Sequence, residues 1–266
     1  MLKGIVIKIL SQFGYQLVKM KNMSAAEIQR INQKVSDIIQ KISPEIIVLE
    51  GPFKGMRYPD LNITEASFLP KIVGSYECQL HSTILDIINT DYSDIIDVGS
   101  AEGYYAVGLA QKMPQTMVHA FDINTKDMDF CRNMAQLNQV NNITFNHFCS
   151  PQTLLDFRPK GRLLVFCDAE GYELDLFTEK VIQNLANTDY LIELHDVINP
   201  LISPTLINRF RKTHQIFYFN NRQCDPRPFA NKLNALSEEE KDFAVMEHRG
   251  GHFQNSFMEW IYVKSK

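Results

Sequence analysis

A doubly wound α/β fold on a mainly parallel sheet is predicted by three features of this sequence. From Asp94 onward, short β-branched runs alternate with stretches of helical spacing, the pattern of βαβ units. The run Ile95-Ile96-Asp97-Val98-Gly99-Ser100-Ala101-Glu102-Gly103-Tyr104-Tyr105 is an apolar strand that enters a glycine turn and then a helix. The 266 residues are 45% hydrophobic and 22% charged, enough to bury one large core.

The elements follow in order. Met1 to about Lys21 sets Leu2, Ile5, Val6, Ile9, Leu10 and Phe13 at helical spacing among lysines. A basic amphipathic helix of this kind packs on the domain or on a second subunit, or it makes peripheral contact with an anionic membrane through residues 1–22. Ser24 and Glu27 have capping-box spacing, and Ile28, Ile31, Val35, Ile38, Ile39 and Ile42 continue a helix to Pro44. Glu45 to Tyr58, with Gly51-Pro52 and Gly55 between two short runs, predicts a small hairpin. A helix is expected over 76–88. Strands are expected near 94–98, 117–122, 143–148, 163–168, 189–194, 214–220 and 256–263. Helices should fall near 103–112, 125–139, 174–184, 203–212 and 237–247, and the loop 221–231 with its two prolines is the longest irregular insertion. The division expected is a helical and hairpin extension, 1–75, followed by the main domain, 76–266.

Composition narrows the function classes. With 27 basic and 31 acidic residues the formal charge is −4, and no block of like charge marks a nucleic-acid surface. Five widely spaced cysteines without a C-x-x-C pair suit reduced thiols in the cytoplasm better than a disulfide frame or a zinc site. No apolar stretch approaches the roughly 20 residues of a spanning helix.

The chemistry sits at strand ends. Glycines at 99, 103 and 108 do not make the G-x-G-x-x-G that receives a dinucleotide pyrophosphate, which argues against a nicotinamide oxidoreductase. Asp97 would repel phosphate and suit an ammonium group, as on the amino-acid end of S-adenosylmethionine, with Gly99, Ser100, Glu102, Gly103 and Tyr105 around it. A tyrosine here, Tyr104 or Tyr105, either faces the sulfonium or simply packs. Asp122, about 20 positions on, ends a strand where a carboxylate accepts both ribose hydroxyls; the alternative is that Asp122 or Asn124 merely caps the next helix. Ile123 then borders the adenosine, and Cys149 and Ser150 its adenine edge.

The fourth expected strand delivers Asp168 and Glu170, and the fifth ends Leu191-Ile192-Glu193-Leu194-His195-Asp196. His195 is the candidate base for a hydroxyl acceptor, with Asp168 orienting it or holding a cation and Glu193 beside them. The alternative is a satisfied structural histidine and a loop-holding glutamate. Asp168, Glu193 and Glu170 form an oxygen-rich set suited to a divalent cation, but spacing alone does not separate Mg²⁺ from three carboxylates around a ligand. His248, Arg249 and His252 are either contacts for an anionic acceptor or ordinary surface charge.

Taken together, D-V-G-x-x-x-G, F-D-I-N and D-x-E-G-x-E-L resemble the FkbM family of class I methyltransferases over residues 94–196. Cys167 and Ala169 stand where that family usually has Ile and Val in I-D-V-E-G-x-E. The segments 51–59, 69–71 and 74–77 look like a subset of the family found with surface-glycan genes. The resemblance implies a Rossmann-like class I methyltransferase fold, with seven strands of which the last is antiparallel, and S-adenosylmethionine as cofactor. It further implies O-methylation of a small acceptor such as a sugar or glycan precursor. The rival is a non-catalytic binding or scaffold module on the same fold.

Overall fold

The computed structural model describes residues 24–61, 67–220, 224–246 and 259–266. The expected helix in residues 1–22, and His248, Arg249 and His252, lie outside them.

Helix α1 (Ala25–Ile42) begins at the expected capping box: Ser24 accepts from the Glu27 amide while Glu27 accepts from the Ser24 amide. The hairpin is reduced to one antiparallel bridge, Ile47 to Arg57, extended by backbone bonds between Val48 and Met56 and between Tyr58 and Ile46. Helix α2 (Phe68–Val73) is an element the sequence did not announce; all six of its residues are buried, so no polar face marks it. The helix expected over 76–88 begins only at α3 (His81–Ile88). Glu77 has a left-handed φ of 46°, and a 3-10 turn over Cys78–Leu80 intervenes.

Strands β1 (Tyr92–Val98), β2 (Met117–Phe121), β3 (Ile143–Asn146), β4 (Arg162–Cys167), β5 (Asp189–Leu194), β6 (His214–Phe219) and β7 (Glu259–Ser265) form one sheet in the order 3-2-1-4-5-7-6. All pairings through β5 are parallel, and β7 runs antiparallel to both β5 and β6. Connecting helices are α4 (Tyr104–Lys112), α5 (Thr125–Leu137), α6 (Pro151–Asp156), α7 (Glu173–Leu176), α8 (Glu179–Asn184), α9 (Ile202–Phe210) and α10 (Glu238–Val245). The single helix expected over 174–184 is split at Phe177, which is fully buried, and Thr178 caps the second half by accepting from the Val181 amide.

Alternate residues of each strand face opposite cores. On one side Ile95, Val118, Leu164, Phe166 and Trp260 meet Ile38 and Ile39 of α1 and Leu69 and Ile72 of α2. On the other, Ile96, Val165, Tyr190 and Ile261 meet Val181, Leu206 and Phe210. The chain leaves β1 for β2 on one flank and returns to β4 on the other, so the crevice of this fold lies beyond the carboxyl ends of β1 and β4.

The opposite rim of the sheet is tied by Asp189. This fully buried carboxylate accepts from the Tyr92 hydroxyl at 2.5 Å, Arg162 Nη2 at 2.7 Å and the Ser265 amide at 2.9 Å. Replacement Asp189→Asn removes the charge and turns one acceptor into a donor facing other donors. A loss of about 1–2 kcal/mol, read from the midpoint of urea unfolding, is expected.

Candidate functional site

Beyond the exits of β1, β2 and β4 the structure opens a cleft of about 460 Å³. Its walls include Gly99, Ala101, Asp122, Ile123, Cys149 and Asp168. A narrow recess of about 30 Å³, room for an ammonium-sized group, continues from it between Asp97, Ser100, Glu102, Tyr105 and Asp168. The candidates drawn from β1, β2 and β4 thus converge, because parallel strands end side by side and each delivers its next residue to the same edge.

The glycine turn brings backbones together. Gly99 has φ +82°, and a Cβ built there would stand 1.7 Å from the Asp168 carbonyl oxygen, so β1 and β4 touch at this point without a side chain between them. Gly103, φ +100°, starts α4. Ala101 and Glu170 also lie in the left-handed region, at φ 45° and 49°, and both line the cleft. Such strained residues cluster at binding sites.

Asp97 is 1% exposed and neither of its carboxylate oxygens has a hydrogen-bond partner. Burial, reinforced by the charges of Asp168, Asp122 and Glu102, pushes its carboxyl well above the usual carboxylate range. A cation entering the recess would reverse that balance. Glu102 is ion-paired with Lys71, which arrives from α2 and lies over the rings of Tyr76 and Tyr104.

Asp122 does not cap α5. Asn124 does, accepting from the Lys126 amide. Asp122 instead accepts from the Ala101 amide at 2.8 Å and the Asn124 amide at 2.7 Å, clamping the glycine turn to the β2 exit while facing the cleft. Ile123, 69% exposed, and Phe148, 51% exposed, stand at the cleft mouth, where Phe148 packs on Tyr172 with ring centroids 5.5 Å apart. Cys149 lines the cleft as a neutral thiol, pushed up to about 12 by burial. Ser150 is the N-cap of α6 in a capping box with Thr153. Tyr105 lines the recess but packs its ring on Phe166 and donates its hydroxyl to Glu77.

The strand-end carboxylates and the histidine form one cluster. His195 is fully buried; its Nδ1 lies 2.7 Å from Glu173 Oε1, while Nε2 lies 3.4 Å from Asp168, 3.5 Å from Glu170 and 3.6 Å from Glu193. Burial opposes the imidazolium. The hydrogen bond to Glu173 and the charges of Asp168, Glu173 and Glu170 outweigh it, so the His195 pKa lies above its ordinary value. Asp168 lines the cleft and His195 stands behind it. Asp127, His147 and Tyr172 also line the cleft and were not singled out in the sequence; Glu173, the last acidic residue of D-x-E-G-x-E-L, had no assigned role there and stands against His195. The His147-Phe148-Cys149 step after β3 and the acidic start of α7 were the local signals for them.

No family model matches this chain, and no curated protein sequence does. Among solved structures it is similar to an rRNA methylase from Streptococcus thermophilus, at 12% identity and TM-score 0.47 over 71% of this chain and 96% of that one. It is similar to the O-methyltransferase TomG from Streptomyces achromogenes, involved in tomaymycin synthesis and solved with SAM, at 10% identity and TM-score 0.45 over 100% and 99%. It is also similar to a coclaurine N-methyltransferase bound to N-methylheliamine and SAH, at 13% identity and TM-score 0.44 over 100% and 94%. The chain's own strand order, 3-2-1-4-5-7-6 with an antiparallel seventh strand, is that of the Rossmann-like class I methyltransferase fold.

Proposed function

We propose that this chain is an S-adenosylmethionine-dependent methyltransferase, related to the FkbM family, that methylates a hydroxyl on a small acceptor such as a sugar or glycan precursor. The observation that carries the reading is a pair of carboxylates. Asp97, buried without a hydrogen-bond partner, faces a recess of ammonium size, and Asp122 faces the adjoining cleft at the β2 exit. That distribution of charge suits an amino-acid end and a ribose diol, and it is wrong for a pyrophosphate. Ile123, Phe148 and Tyr172 offer apolar walls to an adenine. The five cysteines are free thiols, which supports a cytoplasmic setting, and no described helix is long and apolar enough to cross a membrane.

In the reaction the acceptor oxygen bonds to the methyl carbon as the methyl–sulfur bond breaks, and sulfur keeps the electron pair as a neutral thioether. The hydroxyl proton passes to the Asp168–His195 pair at the cleft wall. Because the sulfonium is already a good leaving group, alignment of the two reactants supplies much of the acceleration.

Calorimetric titration with S-adenosylmethionine, beside NADH, tests the cofactor. One molecule of the first per chain and no heat from the second is the expected result; binding of NADH, or of neither, overturns the reading. Transfer of a labelled methyl group to candidate acceptors, sugars first, then tests catalysis against the scaffold alternative.

A further inference from the structure

We propose that Asp168, Glu193 and His195 form a binding site for one divalent cation of the Mn²⁺ kind at the inner wall of the cleft. One ligand atom from each of the three lies within 4.8 Å of the others. The separations from His195 Nε2, 3.4 Å to Asp168 and 3.6 Å to Glu193, are too long for charge-assisted hydrogen bonds, which close to about 2.7–2.9 Å. They fit donors arranged around a shared ion: arms of about 2.1 Å give donor-to-donor edges of about 3.0 Å in an octahedron and about 3.4 Å in a tetrahedron.

The second observation is the histidine itself. Its ring is fully buried, and Nε2 has no hydrogen-bond partner although it is aimed at three carboxylates. Asp168 Oδ1 is likewise buried without one. The ring's orientation is fixed from behind by Glu173, 2.7 Å from Nδ1, which in turn accepts from the Gly171 amide at 3.1 Å. A carboxylate holding the far nitrogen of a ligating histidine is the usual support of a metal site. Four carboxylates, Asp168, Glu170, Glu173 and Glu193, thus converge on one imidazole, an arrangement in which like charges repel unless a cation, the imidazolium or a bound metal, joins them. Carboxylates suit Mg²⁺ and Mn²⁺, and an imidazole shifts the preference to a first-row metal; Mn²⁺ satisfies both.

The site needs no assumption about methyl transfer. Its consequence rests on that reading: Asp168 reaches the cleft, so a cation held there could also take the acceptor oxygen and lower the pKa of its hydroxyl. His195 is then a ligand instead of the proton acceptor. With the cation in place, Glu170, which lines the cleft with a 75% exposed side chain, would take the proton that the metal-free reaction gives to the Asp168–His195 pair.

The full chain, stripped with a chelator, is titrated with Mn²⁺ and followed by electron paramagnetic resonance, with S-adenosylmethionine calorimetry on the same sample. One Mn²⁺ per chain is expected, carrying the nitrogen coupling of one imidazole. Asp168→Asn and Glu193→Gln should weaken it at least about tenfold, Glu173→Gln about tenfold, and exposed Asp86→Asn not at all. A wild-type protein that binds Mn²⁺ no more tightly than Glu193→Gln overturns the proposal. So does bound Mn²⁺ without nitrogen coupling, a result independent of whether any variant folds. Cofactor binding without Mn²⁺ binding sinks the cation site alone; Mn²⁺ binding without cofactor binding sinks only the methyltransferase reading.

Discussion

Gly99→Ala is expected to destabilise the protein by about 2–5 kcal/mol and to abolish binding in the cleft. Two costs add. A left-handed backbone costs a non-glycine residue about 1–2 kcal/mol, and Gly99 has φ +82°. The new methyl would also lie 1.7 Å from the Asp168 carbonyl oxygen and 2.7 Å from its carbon, backbone atoms that cannot swing aside. Relieving such an overlap adds about 1–3 kcal/mol. The relief must come from moving the β4 exit away from β1, which breaks the bond from the Asp168 amide to the Val98 carbonyl, now 2.9 Å. Urea unfolding of the variant measures the first effect and calorimetry the second. Gly161→Ala is the control, since its Cβ would meet only Ser93 side-chain atoms at 3.3 Å. A change within about 1 kcal/mol is expected there. Equal losses in the two variants would mean that the contact between β1 and β4 is not what the turn protects.

The difference between legible and illegible parts of this chain follows from what each residue depends on. The strands from β1 to β5 could be read because each is a short apolar run closed by turn residues, and their ends carried the acidic residues with them. Asp97, Gly99, Asp122 and Asp168 were therefore placed at one edge by counting alone. Helix α2 has six residues, all buried and with Pro70 among them, and so shows neither periodicity nor an amphipathic face. Phe177 looked like one more apolar residue in a helix; only its burial against Tyr190 and Phe210 explains the break there. Within the site, Glu173 closed the D-x-E-G-x-E-L motif and Lys71 ended the segment 69–71, but neither had a partner that the sequence could name. Their positions depend on how α7 folds back beneath His195 and how α2 crosses the recess, which are tertiary facts with no local signal. Ser150 has a local role that the sequence reading did not name. A polar residue after β3 suggested a ligand contact, and the structure gives its side chain to the first turn of α6.

Asp122→Ala is expected to weaken S-adenosylmethionine binding at least about 100-fold. Hydrogen bonds to a charged group contribute about 1.5–3 kcal/mol each, and a ribose offers two. One tenfold step in affinity is about 1.4 kcal/mol, so two such bonds exceed the stated loss even when part of it is recovered by water. The carboxylate has a second employment, because its two oxygens already accept from the Ala101 and Asn124 amides. Each oxygen keeps a further lone pair for the cleft. Alanine removes all of these bonds at once, whereas asparagine keeps one carbonyl acceptor and sets an amide against a donor. The asparagine variant should accordingly fall between wild type and alanine in affinity. The two roles separate in the comparison of affinity with stability. A ribose contact lowers affinity far more than the unfolding midpoint, since the turn is also held by Gly99 and Ser100 amides bonded to the Phe121 carbonyl. A purely structural clamp lowers both together, and an alanine variant that binds within about threefold of wild type would leave Asp122 with the turn alone and the adenosine site elsewhere in the cleft.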